Sequence, residues 1–439
     1  MSPTRTERVM VIGAGIAGIT SALDLADAGY EVLLVDRLPS VGGRMLQLSE
    51  TFPTLDCAQC TLTPRTVESG QHPNIRLFTN SELVGLSGEA GAFIATIRRK
   101  VSYVDWSKCT GCGACQEKCP QVVEVNPFDR GVGLKKAIFT LSPQAIPNKP
   151  MIDAANCRRL TKGKCGVCAR VCPVGAIDYE QKERVVEEEV AAVIVATGLD
   201  LYSMASLPEY GYGEIPDVID GLAMERLCSA SGPTAGKVMR PSDGKVPEHI
   251  VFIQCTGSRD PEHHKPYCSR ICCMYSAKHA RLYKHKAHHG RATLFYMDLR
   301  ATGKGYEEFL QQSTEEEGLV YIRGRVSKIF REGDKIVVWG ADTLTGLPIE
   351  TECDMVVLAT AIVPNPEQAA LARTLGIEVD SNGFYRENHY KTGANITSRA
   401  GVYIAGCAQG PRDIADTVAH ASAAASKVQA FLAARRRAA

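Results

Sequence analysis

The chain has 439 residues, 45% of them hydrophobic and 23% charged, enough to bury a large core and to divide into two or three domains. Fifty Lys and Arg stand against 49 Asp and Glu, which excludes the basic excess of a nucleic-acid binder and the acidic excess of a disordered tail. With no run of 18 apolar residues and no leader-like start, the expected compartment is the cytoplasm, where the 17 cysteines are read for metal or redox chemistry rather than for structural disulfides.

Val9 to Ile12 form a short apolar strand that runs into Gly13-Ala-Gly15-Ile-Ala-Gly18. A helical pattern follows from Ile19 to Ala28, Gly29 closes it, and a second strand from Glu31 to Val35 ends on Asp36. This is the order of a βαβ dinucleotide site. Unpaired N–H groups at the helix start receive a pyrophosphate, and the acid accepts hydrogen bonds from a ribose. NAD and FAD both answer to that pattern. Two further segments, Gly42-Gly43-Arg44 and the strand-turn-helix Gly401-Val-Tyr-Ile-Ala-Gly406-Cys407, resemble those that close over FAD in flavoproteins related to thioredoxin reductase, so the resemblance implies FAD. Those relatives usually carry an Asp where Cys407 stands, and a thiol bonds a ribityl hydroxyl only weakly.

The chain next carries Cys109-x2-Cys112-x2-Cys115-x3-Cys119-Pro120 and then Cys157-x7-Cys165-x2-Cys168-x3-Cys172-Pro173. Tight turns of this kind bring three thiolates to one side of a 4Fe-4S cubane, and the fourth cysteine usually crosses to the other cluster. On that rule Cys109, Cys112, Cys115 and Cys172 hold one cluster, and Cys157, Cys165, Cys168 and Cys119 the other. Two zinc ribbons are the competing arrangement, but a CxxCxxCxxxCP run is a cluster pattern. The segment is an insertion, because Ala192-Val-Ile-Val-Ala-Thr-Gly198 resumes the flavoprotein pattern.

A second βαβ unit is expected from the strand His249–Gln254, a helix from about Ser269 to His288 and the strand Ala292–Asp298. No Gly-rich loop joins its first two elements. The sequence instead offers Cys255-x12-Cys268-x3-Cys272-Cys273 at the crevice where an α/β sheet places its ligand. From the residues alone, these thiols suit a cluster or zinc, or stand together by coincidence.

This spacing resembles the unconventional 4Fe-4S motif of the family formed by the A subunits of heterodisulfide reductases. Gly42-Gly-Arg-Met45, Asp56-Cys-Ala-Gln-Cys60, both ferredoxin-type halves, Tyr296-Met-Asp-Leu-Arg300 and Gln409-Gly-Pro-Arg-Asp413 resemble the same family. The resemblance implies a third cluster on Cys255, Cys268, Cys272 and Cys273, and places Lys278 near flavin N5. It also implies partner subunits of a heterodisulfide reductase-like complex and a homodimer within it. The chain is short for that family, as are the relatives found in sulfur-oxidising complexes. Read without the family, Lys278, followed by His279 and Arg281, is expected to face solvent.

Five cysteines remain. Cys57-Ala-Gln-Cys60 has redox-motif spacing, which suits a dithiol exchanging with a flavin, although no thioredoxin-like βαβ context surrounds it. Cys228, Cys353 and Cys407 are expected to be small buried hydrophobes.

The expected fold is α/β: a thioredoxin-reductase-like flavoprotein with two dinucleotide domains and an inserted two-cluster ferredoxin domain. Its expected divisions are an FAD domain over 1–100, the ferredoxin over 101–187, a return segment over 188–215, a degenerate NAD(P)-type domain carrying a cluster over 216–350, and the rest of the FAD domain over 351–439. The expected function is that of an electron-transfer oxidoreductase subunit with FAD and three 4Fe-4S clusters. A self-contained NAD(P)H-dependent iron–sulfur flavoprotein would need an intact second GxGxxG, and a cluster-binding redox sensor or scaffold would need no hydride-accepting flavin. Neither a nucleic-acid partner nor a transmembrane segment is expected.

Overall fold

The computed structural model describes residues 7–437. Four of the first unit's strands are short and apolar, and they pair in parallel with Ile75–Phe78 in the order Val402–Ile404, Ala192–Val195, Val9–Ile12, Val32–Val35, Ile75–Phe78. Both faces of this sheet are covered, which is why its central strands read as continuous apolar runs. Val9, Val11, Leu34 and Ile194 point into a core shared with Ile19, Leu23 and Val428 of two helices, Ile16–Asp27 and Ile414–Arg437. Met10, Ile12, Leu33 and Val195 point the other way, against Phe93, Ile97 and Tyr385.

The first helix starts at Ile16, three residues before the apolar pattern suggested, because Gly15 caps it and the Ile19 N–H already bonds the Gly15 carbonyl at 2.9 Å. Strand Ala92–Arg99 alternates buried and exposed residues, as a strand with one solvent face must, and pairs with both Ser81–Glu89 and Arg184–Val190. Arg99 and Arg184 are opposite one another. The inserted segment leaves and re-enters at that pair. Inside it, short helices and two-residue ladders surround a small core of Val104, Ile138, Ile152 and Ala176 with Cys115 and Cys168.

The second unit has a seven-stranded sheet in the order Val218–Asp220, Met355–Thr360, His249–Thr256, Arg291–Tyr296, Val320–Glu332, Lys335–Asp342, Leu347–Cys353. Met355–Thr360, expected in the FAD domain beyond residue 350, instead pairs in parallel with His249–Thr256 and Val218–Asp220. Every residue of its MVVLAT run is buried, as suits a strand with neighbours on both edges and cover on both faces. The chain returns to the first unit just after it, where Asp200–Leu201 and Ile362–Val363 form an antiparallel ladder. The cysteine-bearing helix spans Cys272–Lys286 rather than starting near Ser269; Arg270 takes a positive φ of 67°, which a helix cannot contain. Among the described residues, no helix is long and apolar enough to cross a membrane.

Candidate functional site: a dinucleotide cavity flanked by cysteine groups

A cavity of about 870 Å³ lies between the two units. The first unit lines it with Gly13, Gly15, Asp36, Gly43, Arg44, Gly198 and Cys407, and the second with Tyr275, Lys278 and His279. Gly18, Gly42 and Gly406 do not line it. Close backbone approach explains two glycines. A Cβ on Gly18 would lie 1.7 Å from the Gly13 carbonyl oxygen, and one on Gly43, whose φ is +57°, would lie 2.7 Å from Gly15 Cα.

Asp36 accepts the Ala14 N–H at 2.5 Å and the Leu38 N–H at 2.7 Å, so its carboxylate is fixed at the turn. Burial, the largest influence, raises its pKa against those bonds. Arg44 pairs with Asp200 at 2.5 Å. Gln368 Oε1 and Arg412 Nε, on residues lining the cavity, are buried without a protein hydrogen-bond partner. A glycine-lined turn on a helix N-terminus, together with unpartnered polar atoms, fits a bound dinucleotide.

Lys278 contradicts the expectation of a solvent-facing side chain. It is 2% exposed, donates to the Glu50 carbonyl oxygen at 2.8 Å and forms an ion pair with Glu225, itself 4% exposed. Glu225 also accepts from Ser49 N–H at 3.0 Å and Ser49 Oγ at 2.7 Å. Burial alone would push the Glu225 pKa up, but the Lys278 ammonium and then His279 outweigh it and hold the carboxylate well below the usual range. Burial, the largest influence, lowers the His279 pKa against the pull of the Glu225 carboxylate. Its Nε2 lies 2.8 Å from Glu225 Oε1 but makes no hydrogen bond there. Glu225, Tyr275 and His279 were absent from the expected site. Glu225 comes from a helix 53 residues before Lys278, and no local pattern announces that pairing.

The structure brings the cysteines into neighbouring groups. In the inserted segment, Cys109, Cys168 and Cys112 are neighbours of Cys115, and Cys157 and Cys119 are neighbours of Cys168. Gly111 N–H points to Cys109 Sγ at 3.4 Å and Ala176 N–H to Cys172 Sγ at 3.3 Å. Cys112 and Cys165 are exposed at the rim.

In the second unit, Cys272 has Cys255, Cys273 and Cys268 as neighbours. Arg270 N–H donates to Cys268 Sγ at 3.2 Å and Arg300 N–H to Cys273 Sγ at 3.4 Å. Burial raises the pKa of Cys115 and Cys273 to about 11 and that of Cys272 well above the usual thiol value, so thiolates there call for a positive centre. Among the described residues, no three His, Cys, Asp or Glu side chains close up into a group that could hold a metal ion. An all-cysteine donor set is the chemistry of an iron–sulfur centre.

Of the remaining cysteines, Cys228 and Cys353 are buried as expected. Cys407 lines the cavity instead of sitting in a core, and its thiol donates to the Arg412 carbonyl oxygen at 3.5 Å. Cys57 and Cys60 are exposed and do not line the cavity, so the structure does not place them for exchange with a flavin.

Residues 11–80 match a family model described as an NAD(P)-binding Rossmann-like domain, and residues 102–123 one described as a 4Fe-4S binding domain. Among solved structures, the thioredoxin reductase of T. acidophilum aligns with a TM-score of 0.53 at 14% identity, over 97% of this chain and 98% of that one. The Lactococcus lactis thioredoxin reductase aligns with a TM-score of 0.53 at 15% identity, over 98% and 99%. Fold and motifs together define a thioredoxin-reductase-like dinucleotide-binding protein with a ferredoxin motif, a combination that supports FAD and iron–sulfur clusters as its cofactors.

Among curated proteins, the chain is 46% identical to the A subunit of the H(2):CoB-CoM heterodisulfide,ferredoxin reductase of Methanothermobacter marburgensis, over 96% of its own length and 63% of that protein. It is 47% identical to an iron-sulfur A subunit of the CoB-CoM heterodisulfide reductase of Methanopyrus kandleri, over 98% and 65%. The chain belongs to the family of heterodisulfide reductase A subunits, and it spans slightly less than two thirds of the length of these relatives.

Proposed function

We propose that this chain is an electron-transfer oxidoreductase subunit that carries one FAD and three 4Fe-4S clusters. It works within a larger cytoplasmic thiol/disulfide or sulfur-metabolising complex of the heterodisulfide reductase kind, as a homodimer. The single observation that carries this reading is the helix Cys272–Lys286. Its first turn bears Cys272 and Cys273, and Tyr275, Lys278 and His279, further along it, line the dinucleotide cavity. One rigid element thus serves both sites.

Bound FAD exchanges electrons in pairs and a 4Fe-4S cluster one at a time, so the combination converts between the two. Gly13, Gly15 and Gly18 leave the helix N-terminus open to a pyrophosphate, and Asp36 orients a ribose. Lys278, held by Glu225, lines the cavity and would act on a bound flavin as a hydrogen-bond donor. Cys109, Cys112, Cys115 and Cys172 would ligate one cluster, Cys157, Cys165, Cys168 and Cys119 a second, and Cys255, Cys268, Cys272 and Cys273 the third.

An anaerobic reductive titration of the purified chain with a strong one-electron reductant tests this. About five equivalents per chain are expected, two for the flavin and one for each cluster, falling to about four in Cys272→Ser. About four equivalents in both proteins would leave the Cys255 to Cys273 group without a cluster and sink the reading.

A further inference from the structure

Outside the three cysteine groups, two thiols stand in solvent. Cys228 and Cys353 are buried and Cys407 faces the cavity, whereas Cys57 and Cys60 are both exposed. Cys57 closes the short strand Asp56–Cys57 and caps the 14-residue helix Ala58–Gln71, and its Sγ accepts the Cys60 N–H at 3.3 Å. A sulfur at that position is offered hydrogens by the helix start, and the second thiol follows one turn later, the arrangement in which a disulfide closes without moving the backbone far. We propose that Cys57 and Cys60 form a dithiol that reduces low-molecular-weight disulfides from solvent by thiol–disulfide exchange.

The two sulfurs are not equivalent. Partial burial raises the Cys57 pKa, but the Cys60 thiol and the N–H groups of Cys60 and Gln59 outweigh it and hold Cys57 below the ordinary thiol value. The neighbouring Cys57 sulfur holds Cys60 above it. Cys57 is therefore the attacking sulfur and Cys60 the resolving one. The Cys57 thiolate attacks one sulfur of a disulfide RS–SR, forming a Cys57–SR bond and expelling RS⁻. Cys60 then loses its proton to solvent and attacks the Cys57 sulfur, expelling the second RS⁻ as the Cys57–Cys60 bond forms. The disulfide gains two electrons, the protein pair loses two, and the two protons pass to the released thiolates. The pair also lies beside the cavity wall: Cys57 is in register with Glu50, whose carbonyl oxygen accepts the Lys278 ammonium at 2.8 Å.

The test uses the whole chain, purified anaerobically with its cofactors and treated with cystine, the tryptic peptide Met45–Arg65 being weighed afterwards. Wild type is expected to lose two hydrogens, and Cys60→Ser to carry one half-cystine on Cys57. In the wild-type chain, Cys57 is expected to be alkylated at lower pH than Cys60. Two results would overturn the proposal: no adduct on Cys57 in Cys60→Ser, or loss of iron from either variant. The peptide mass reads this site alone, so its outcome is independent of the electron count that tests the proposed electron-transfer function.

Discussion

Glu225→Gln is expected to destabilise the chain by roughly 3–5 kcal/mol, because it leaves the Lys278 ammonium buried without a counter-charge. Lys278 is 2% exposed, and its other bond, to the Glu50 carbonyl oxygen, supplies an acceptor but no negative charge. The new amide can still accept from Ser49 through its oxygen, which then turns its NH2 toward the ammonium, donor against donor. Lys278→Met in the same chain removes the stranded charge, so the double variant should recover a large part of the loss. Denaturant midpoints of the four proteins check this. A single variant within about 0.5 kcal/mol of wild type would mean that the pair is not held as a buried ion pair.

Gly18→Ala is expected to release FAD. The added Cβ would fall 1.7 Å from the Gly13 carbonyl oxygen, a backbone atom of the turn itself, which cannot swing aside like a flexible side chain. The helix must withdraw from the strand, and its N-terminal N–H groups withdraw with it. Overpacking of this kind costs about 1–3 kcal/mol in stability, and a displaced pyrophosphate site should weaken FAD by at least about tenfold, or ~1.4 kcal/mol. At Gly15 the nearest atom to an added Cβ is Gly43 Cα at 3.8 Å, an ordinary contact, so Gly15→Ala should keep the fold. FAD per chain after gel filtration, with iron as the control, reads the difference. Full FAD retention in Gly18→Ala would contradict the role given to the close approach.

What was legible in the sequence is what local rules govern. The run from Val9 to Asp36 carries its own glycine spacing and apolar strands, and the cysteine groups announce themselves by interval. The parts that were not legible are long-range. Lys278 sits among Ser276, His279 and Arg281, a polar setting that reads as surface, and only the arrival of Glu225 from the helix Gly221–Cys228 stabilises it in the interior. Met355–Thr360 is as apolar as the FAD-domain strands, so nothing in its own residues tells which sheet it joins; pairing with His249–Thr256 decides that. The ribbon Val320–Cys353 has exposed apolar residues such as Trp339 and Leu347, which blur the alternation of a strand with one wet face. Cys57 and Cys60 have flavin-type redox spacing, yet the strand pair Glu50–Thr51 and Asp56–Cys57 carries them to the outside of the cavity wall.

On the proposed function, the crevice at the end of the strand His249–Thr256 holds a cluster on the same helix that lines the dinucleotide cavity. The most direct measurement is FAD, iron and sulfide per chain in anaerobically purified wild type and Cys272→Ser. One FAD and about twelve iron are expected in wild type, with about four iron lost and FAD kept in the variant. About eight iron in both proteins would contradict it, confining the clusters to the inserted segment.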